Sequence, residues 1–146
     1  MPTSRPAAAL RLPSNRSAPR LATAWLRENG PAAGLAEPAL SRAEVALDEL
    51  VTNVVRHGGE PPATSLAIAI ESDPGELRLV VEDDGRPFDP TQAATPEFPA
   101  SLDEAIEGGR GIFLARSFAD RMRYERVGDR NRVTLAFLVA SPAEPC

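Results

Sequence analysis

The chain has 146 residues and a mass of 15.6 kDa, the size of one ordinary domain with one modest core, so a second catalytic domain is not expected. Its 42% apolar and 25% charged content is that of a globular chain, and no run approaches the ~18 consecutive apolar residues of a membrane helix. Sixteen basic against 21 acidic residues give a net charge of −5, which argues against a grip on nucleic acid by phosphate neutralisation, so neither nucleic acid nor membrane is an expected partner.

The scarce residue types exclude further chemistry. All sixteen basic residues are arginine, and a chain without lysine has no P-loop, no Schiff base and no equivalent of the ordinary protein-kinase lysine. The single histidine is His57 and the single cysteine is Cys146. Thiolate zinc sites and intrachain disulfides are therefore excluded, and any metal must be held by oxygens. Residues 1–12 place prolines and arginines where a signal peptide needs an apolar core, which makes a cytoplasmic location the expectation.

In chain order, residues 1–6 read as a disordered tip and 7–12 as an edge strand bounded by Pro13. Ala18, Leu21, Ala22, Trp25 and Leu26 then recur at helical spacing until Gly30-Pro31 stops the run. Ser41 with Glu44 three residues on has the capping-box pattern, which predicts a second helix from there to His57, ended by Gly58-Gly59. Residues 64–71 and 76–83 alternate as the two strands of a hairpin, joined by Ser72-Asp73-Pro74-Gly75. Four prolines between Arg86 and Ala100 predict a long irregular loop, a feature tied to lid or binding function. A short helix is expected after Ser101 and another over 111–120. Strands 121–127 and 132–139 follow, turned at Gly128-Asp129-Arg130-Asn131. The tail 141–146 reads as flexible, leaving 7–140 as one domain. The order predicts an α+β, two-layer sandwich with helices on one face of a mixed sheet.

Three stretches carry chemistry. On the second helix Leu47, Leu50, Val51 and Val54 make the core stripe, while Glu49 and Asn53 project together from another face at ~100° per residue. Such a pair is usually solvated, yet asparagine is a poor helix-interior residue unless its side chain is used. In Val81-Glu82-Asp83-Asp84-Gly85-Arg86-Pro87-Phe88-Asp89 an aliphatic strand ends in acids and a glycine that admits close approach of a ligand. In Gly108-Gly109-Arg110-Gly111-Ile112-Phe113-Leu114 a glycine-rich turn enters a helix whose free N–H groups suit phosphate. Acid clusters before glycine are commonly turns, and glycines before helices are frequent; the order of the three is what makes them specific.

Together they resemble the Bergerat-type (GHKL) ATP-binding fold of gyrase and sensor histidine kinases, and most closely its stand-alone branch, the anti-sigma-factor serine/threonine kinases. Residues 49–58 look like that branch's N box, 83–90 its first glycine box and 109–114 its second. The resemblance implies ATP and Mg²⁺ as cofactors, with Asn53 the Mg²⁺ ligand, Glu49 the general base and Asp83 the reader of adenine. It implies that Gly85 lets the base approach and that Gly109 and Gly111 bring N–H groups to the phosphates. Pro87 departs from the second glycine that many members have there, and Asn131 stands near a position where relatives carry threonine, so no role is carried onto it. His57 is read as packing or capping, and Arg56 and Arg110 as solvated. Histidine kinases need a dimerisation helix pair and gyrase-like ATPases a transducer domain with a lysine, neither of which this chain has the length to supply. The expected function is a protein serine/threonine kinase that binds a sigma factor and phosphorylates a STAS-like antagonist, as the family does, commonly as a homodimer. The alternative from another class is an interaction module that senses ATP without phosphotransfer.

Overall fold

Alternation of apolar and polar residues places five segments in one sheet. The computed structural model describes residues 7–57, 65–92 and 115–139. Within them β1 (Ala8–Pro13), β2 (Ser65–Asp73), β3 (Glu76–Asp83), β4 (Arg121–Val127) and β5 (Arg130–Leu138) assemble in the order β1-β2-β3-β5-β4. Two helices, α1 (Ala18–Asn29) and α2 (Ala39–His57), connect β1 to β2. The tip, the tail, the short helix expected after Ser101 and most of the proline-rich loop lie outside the described residues. Of the helix expected over 111–120, residues 115–118 are described and helical.

One face of the sheet is the core. Register carries apolar rungs across the strands, Leu10–Ile68–Val81–Val133 and Ala8–Ile70–Leu79–Leu135 among them. Against these, α1 buries Ala18, Ala22 and Leu26, and α2 buries Ala43, Ala46, Leu47, Leu50 and Val51, each set spaced three or four apart as a helical stripe requires. Alanine at four of those positions keeps the buried stripes narrow, and Phe137, fully buried on β5, belongs to the same core. Burial of each large aliphatic side chain is worth about 1.5–3 kcal/mol.

Among the described residues every strand pairing is antiparallel, which corrects the expected mixed sheet. With two helices between β1 and β2 the chain turns back three times, an odd number, so β2 returns opposite to β1. β3 and β4 do run the same way, but β5 lies between them, and among the described residues no parallel pair is hydrogen-bonded.

Local chemistry moves three boundaries. The second helix starts at Ala39, earlier than its capping-box pattern predicts, with Leu40 N–H on Ala36 O at 2.9 Å and Arg42 N–H on Pro38 O at 3.3 Å. Pro38 is tolerated there because a first-turn proline lacks an N–H that has no helical partner. Ser41 is consequently inside the helix and its hydroxyl donates to the Glu37 carboxylate at 2.6 Å, while Glu44 ion-pairs with Arg27 of α1. The β2–β3 turn tightens to Pro74-Gly75, with Asp73 paired to Glu76 and Gly75 at φ 80°, the proline-then-glycine order of a type II turn. The last hairpin tightens likewise: Gly128, at φ 61°, and Asp129 make the whole turn, and Val127 pairs with Arg130. Asn131 is thus a strand residue, not the turn residue its type suggests.

Candidate functional site

At one end of the sheet the core face changes character. The rung Leu12–Leu66 continues into Asp83 on β3 and Asn131 on β5, which are direct cross-strand partners. Asp83 is 7% exposed and Asn131 4%, and they are the buried polar side chains among the described residues. Polar groups taken out of water must find partners. Asp83 Oδ1 accepts from the Gly85 N–H at 2.9 Å and from Asn131 Nδ2 at 3.0 Å. Asn131 Nδ2 also donates to the Arg86 carbonyl at 2.7 Å, and its Oδ1 accepts from the Phe88 N–H at 3.1 Å and the Tyr124 hydroxyl at 2.7 Å. Two donors and two acceptor sites are all that a carboxamide offers, so Asn131 is saturated. Both bonds to Asp83 land on one oxygen, and among the described residues Oδ2 accepts none.

The loop after β3 is fixed by the same groups. Arg126 of β4 donates to the Gly85 carbonyl at 2.9 Å, so both polar atoms of this glycine's backbone are engaged. The neighbouring acid, Asp84, accepts from the Ser65 N–H at 3.1 Å and tethers the start of β2. Two adjacent aspartates therefore do different work. Asp89 accepts from the Thr91 N–H at 2.9 Å and opens the 3₁₀ turn Pro90–Gln92, an Asx cap. Between loop, sheet and helix lies a cavity of about 30 Å³, lined by Val54, Asp83, Phe88, Pro90, Asn131 and Val133 among others. It is the space of about one water molecule and marks the polar end of the site; residues 93–114 lie outside the described residues. Val54 places α2 on its wall, one residue beyond Asn53.

On α2 Glu49 and Asn53 are half-buried. Glu44, which pairs with α1 through Arg27, lies about 140° from Glu49 around the helix at roughly 100° per residue, so Glu49 and Asn53 occupy the flank away from α1. Burial, reinforced by the nearby charge of Asp48, pushes the Glu49 carboxyl above its ordinary value of 4.5, and Arg56 pulls it partly back. Asp48 is itself raised, first by burial and then by Glu44. A carboxylate raised in this way is a stronger base. Among the described residues no cluster of three or more His, Cys, Asp or Glu side chains is placed to hold a metal ion, and Asn53 offers an amide oxygen of the hard type that Mg²⁺ accepts. Gly109, Arg110 and Gly111 lie outside the described residues, and His57 is the last residue of α2.

Sequence reading named Asn131 without giving it a role, and did not single out Tyr124 or Arg126. The available signal was the hairpin count: a two-residue Gly-Asp turn is a common hairpin connection, and with that turn Asn131 falls within the last strand.

Residues 12–137 match the family model described as the histidine kinase-like ATPase domain. The serine/threonine-protein kinase BtrW of Bordetella bronchiseptica is 37% identical over 90 residues, which are 60% of this chain and 63% of that protein, less than two thirds of the relative's length. In the crystal structure of the RsbU and RsbW domains of Rv1364c from Mycobacterium tuberculosis, 34% of that chain matches 93% of this one with a TM-score of 0.61 at 21% identity, a likeness of fold. The resemblance to the Bergerat-type (GHKL) ATP-binding fold read from the three boxes stands with the family match. A match that runs from the end of β1 almost to the end of β5, on an α+β sheet of this topology, leads to one conclusion: the chain belongs to the histidine kinase-like ATPase family.

Proposed function

We propose that the chain is an ATP- and Mg²⁺-dependent protein serine/threonine kinase that binds a sigma factor and phosphorylates a STAS-like antagonist. The observation that carries the reading is Asp83, a buried carboxylate whose Oδ1 is held by Gly85 and Asn131, while its second oxygen accepts no hydrogen bond among the described residues and is of the kind that accepts from a ligand. The adenine exocyclic amine is a donor of the right kind; guanine presents a carbonyl at the same place and is repelled. Gly85 admits the base, and Gly109 and Gly111 supply backbone N–H groups to the phosphates.

Asn53 would hold Mg²⁺ through its side-chain oxygen, with phosphate oxygens and water completing the shell, and the ion would neutralise charge on the triphosphate. Glu49 is the general base. The antagonist's hydroxyl oxygen attacks the γ-phosphorus, the bond from that phosphorus to the β–γ bridging oxygen breaks, ADP leaves and the hydroxyl proton passes to Glu49. Its elevated pKa suits that transfer. Phosphate on the antagonist then decides which of two partners the kinase surface holds. We further propose a homodimer working in the cytoplasm. The relative named as a serine/threonine-protein kinase supports the activity, and the RsbW domain's fold supports the setting.

Phosphotransfer from γ-labelled ATP to a purified STAS-like antagonist tests the reading. Label on a serine or threonine of the antagonist, lost in Glu49→Gln, is the expected result. Tight Mg-ATP binding without transfer would contradict it and would leave a nucleotide-sensing interaction module.

A further inference from the structure

We infer that Asn131 is a positioning residue for base recognition: it selects which oxygen of Asp83 meets the nucleotide, and Tyr124 on the edge strand sets the orientation of Asn131. The inference rests on the reading of Asp83 as the adenine acceptor and deepens it. A lone buried aspartate has two equivalent oxygens and two broad lone pairs on each, and a carboxylate free to rotate presents either. Here one oxygen is committed. Asn131 Nδ2 and the Gly85 N–H both bond Oδ1, so the direction of Oδ2 is fixed before any ligand arrives.

The carboxamide is itself fixed by groups that admit one assignment of its oxygen and nitrogen. Phe88 N–H and the Tyr124 hydroxyl need an acceptor, and the Arg86 carbonyl and Asp83 need a donor. Turning the amide over would set donor against donor and acceptor against acceptor. Asn131 also shares its bonds between the carboxylate and the loop at Arg86 and Phe88, so the acceptor and the wall of the cavity beside it move as one unit. Because Asn131 is neutral, it orients Asp83 without supplying the cation that would compete with a ligand donor for the charge. The β3–β5 register places the amide opposite Asp83, and the β4–β5 register set by the two-residue turn at Gly128-Asp129 brings Tyr124 to the same face.

The test compares ATP with purine riboside triphosphate, which has the same phosphates and ring system but lacks the exocyclic amine, by calorimetric titration in the presence of Mg²⁺. Wild-type protein should favour ATP by roughly 10- to 100-fold, the range of a hydrogen bond to a charged group. Asn131→Asp removes both donors while keeping the shape, and should weaken ATP until the two nucleotides bind alike, with purine riboside triphosphate little changed. Tyr124→Phe removes one hydroxyl and leaves the Phe88 N–H on Oδ1; it should lower the preference by roughly 2- to 10-fold, which keeps the idea open to refutation if Asn131→Asp does not fold. A wild-type protein that binds both nucleotides equally would overturn the adenine assignment of Asp83 and this inference with it. A wild-type preference that survives intact in both variants, or variants that weaken both nucleotides equally, would overturn the positioning role alone.

Discussion

Glu82 and Asp83 are neighbours on β3, as Asn131 and Arg132 are on β5, yet the two pairs they form across the strands belong to opposite faces of the sheet. On the open face Glu82 bonds Arg132 at 2.6 Å, and Arg132 also meets Glu125 at 3.1 Å. Arg78 similarly serves Glu71, Asp73 and Glu76, and Arg121 serves Glu76. Each of these acids is matched by a guanidinium in reach of water. On the helix side Asp83 is held by an amide and a backbone N–H, and Glu49 sits half-buried with a raised pKa. The difference teaches where to look for chemistry. A carboxylate neutralised by arginine at the surface is a solubilising and register device worth about 0–1 kcal/mol, whereas one held by neutral donors in a buried place keeps its charge for something else.

Variants on the two faces should separate accordingly. The largest expected effect is in Glu49→Gln, which keeps the side-chain shape but cannot take a proton; phosphotransfer should fall by about 10²–10⁴-fold while Mg-ATP affinity, measured by calorimetry, barely moves. An unchanged rate would make Glu49 a positioning group and blur the distinction between the faces. A second test uses pH. With its folded-state pKa above 4.5, Glu49 loses its proton only as pH rises through that elevated value, so the acid limb of the rate profile should lie above the ordinary carboxylate range. Arg56→Gln removes the opposing charge and should move the limb higher still.

The smaller effects concern stability. The folded state raises Asp48 above its ordinary 3.8, so it binds a proton more tightly than the unfolded chain does. The stability this group contributes is full below the unfolded value and is lost as pH rises through the folded one. Asp48→Asn should therefore raise the melting temperature at neutral pH and give no such gain at pH below the unfolded carboxylate value. Smallest of all, Glu82→Gln on the open face should change unfolding free energy, measured by urea titration, by less than about 1 kcal/mol. A loss of several kcal/mol there would show that the exposed pair is not the surface device the comparison makes it.

The strongly periodic elements were legible because one physical demand dominates each. Leu66, Ile68 and Ile70 had to face a core, as did Ala18, Ala22 and Leu26, and the structure buries all six. The start of α2 was misread because Ser-x-x-Glu at 41–44 imitates a cap; a tolerated proline at position 38 let the helix begin earlier, and both side chains found tertiary partners instead. The two hairpins were legible, but the all-antiparallel sheet was not, since it depends on β5 inserting between β3 and β4, and β3–β5 is a contact far apart in sequence. For the site, Asp83 and Glu49 were visible as residue types in a recognisable order. The network that orients Asp83 was not, because Asn131 acquires its role through the long-range β3–β5 register and Tyr124 through the β4–β5 register that a two-residue turn sets.

Side-by-side calorimetry of Mg-ATP binding to wild type, Asp83→Ala and Glu82→Ala tests the central claim most directly, because the two substituted residues are adjacent in sequence and opposite in role. Asp83→Ala should weaken ATP by about 1–3 kcal/mol, the cost of a donor left unpaired in a buried place, and should abolish the preference for ATP over GTP. Glu82→Ala should match the wild type. Equal ATP affinity in all three proteins, or equal loss in both variants, would contradict the assignment of the buried end of the sheet as the nucleotide site.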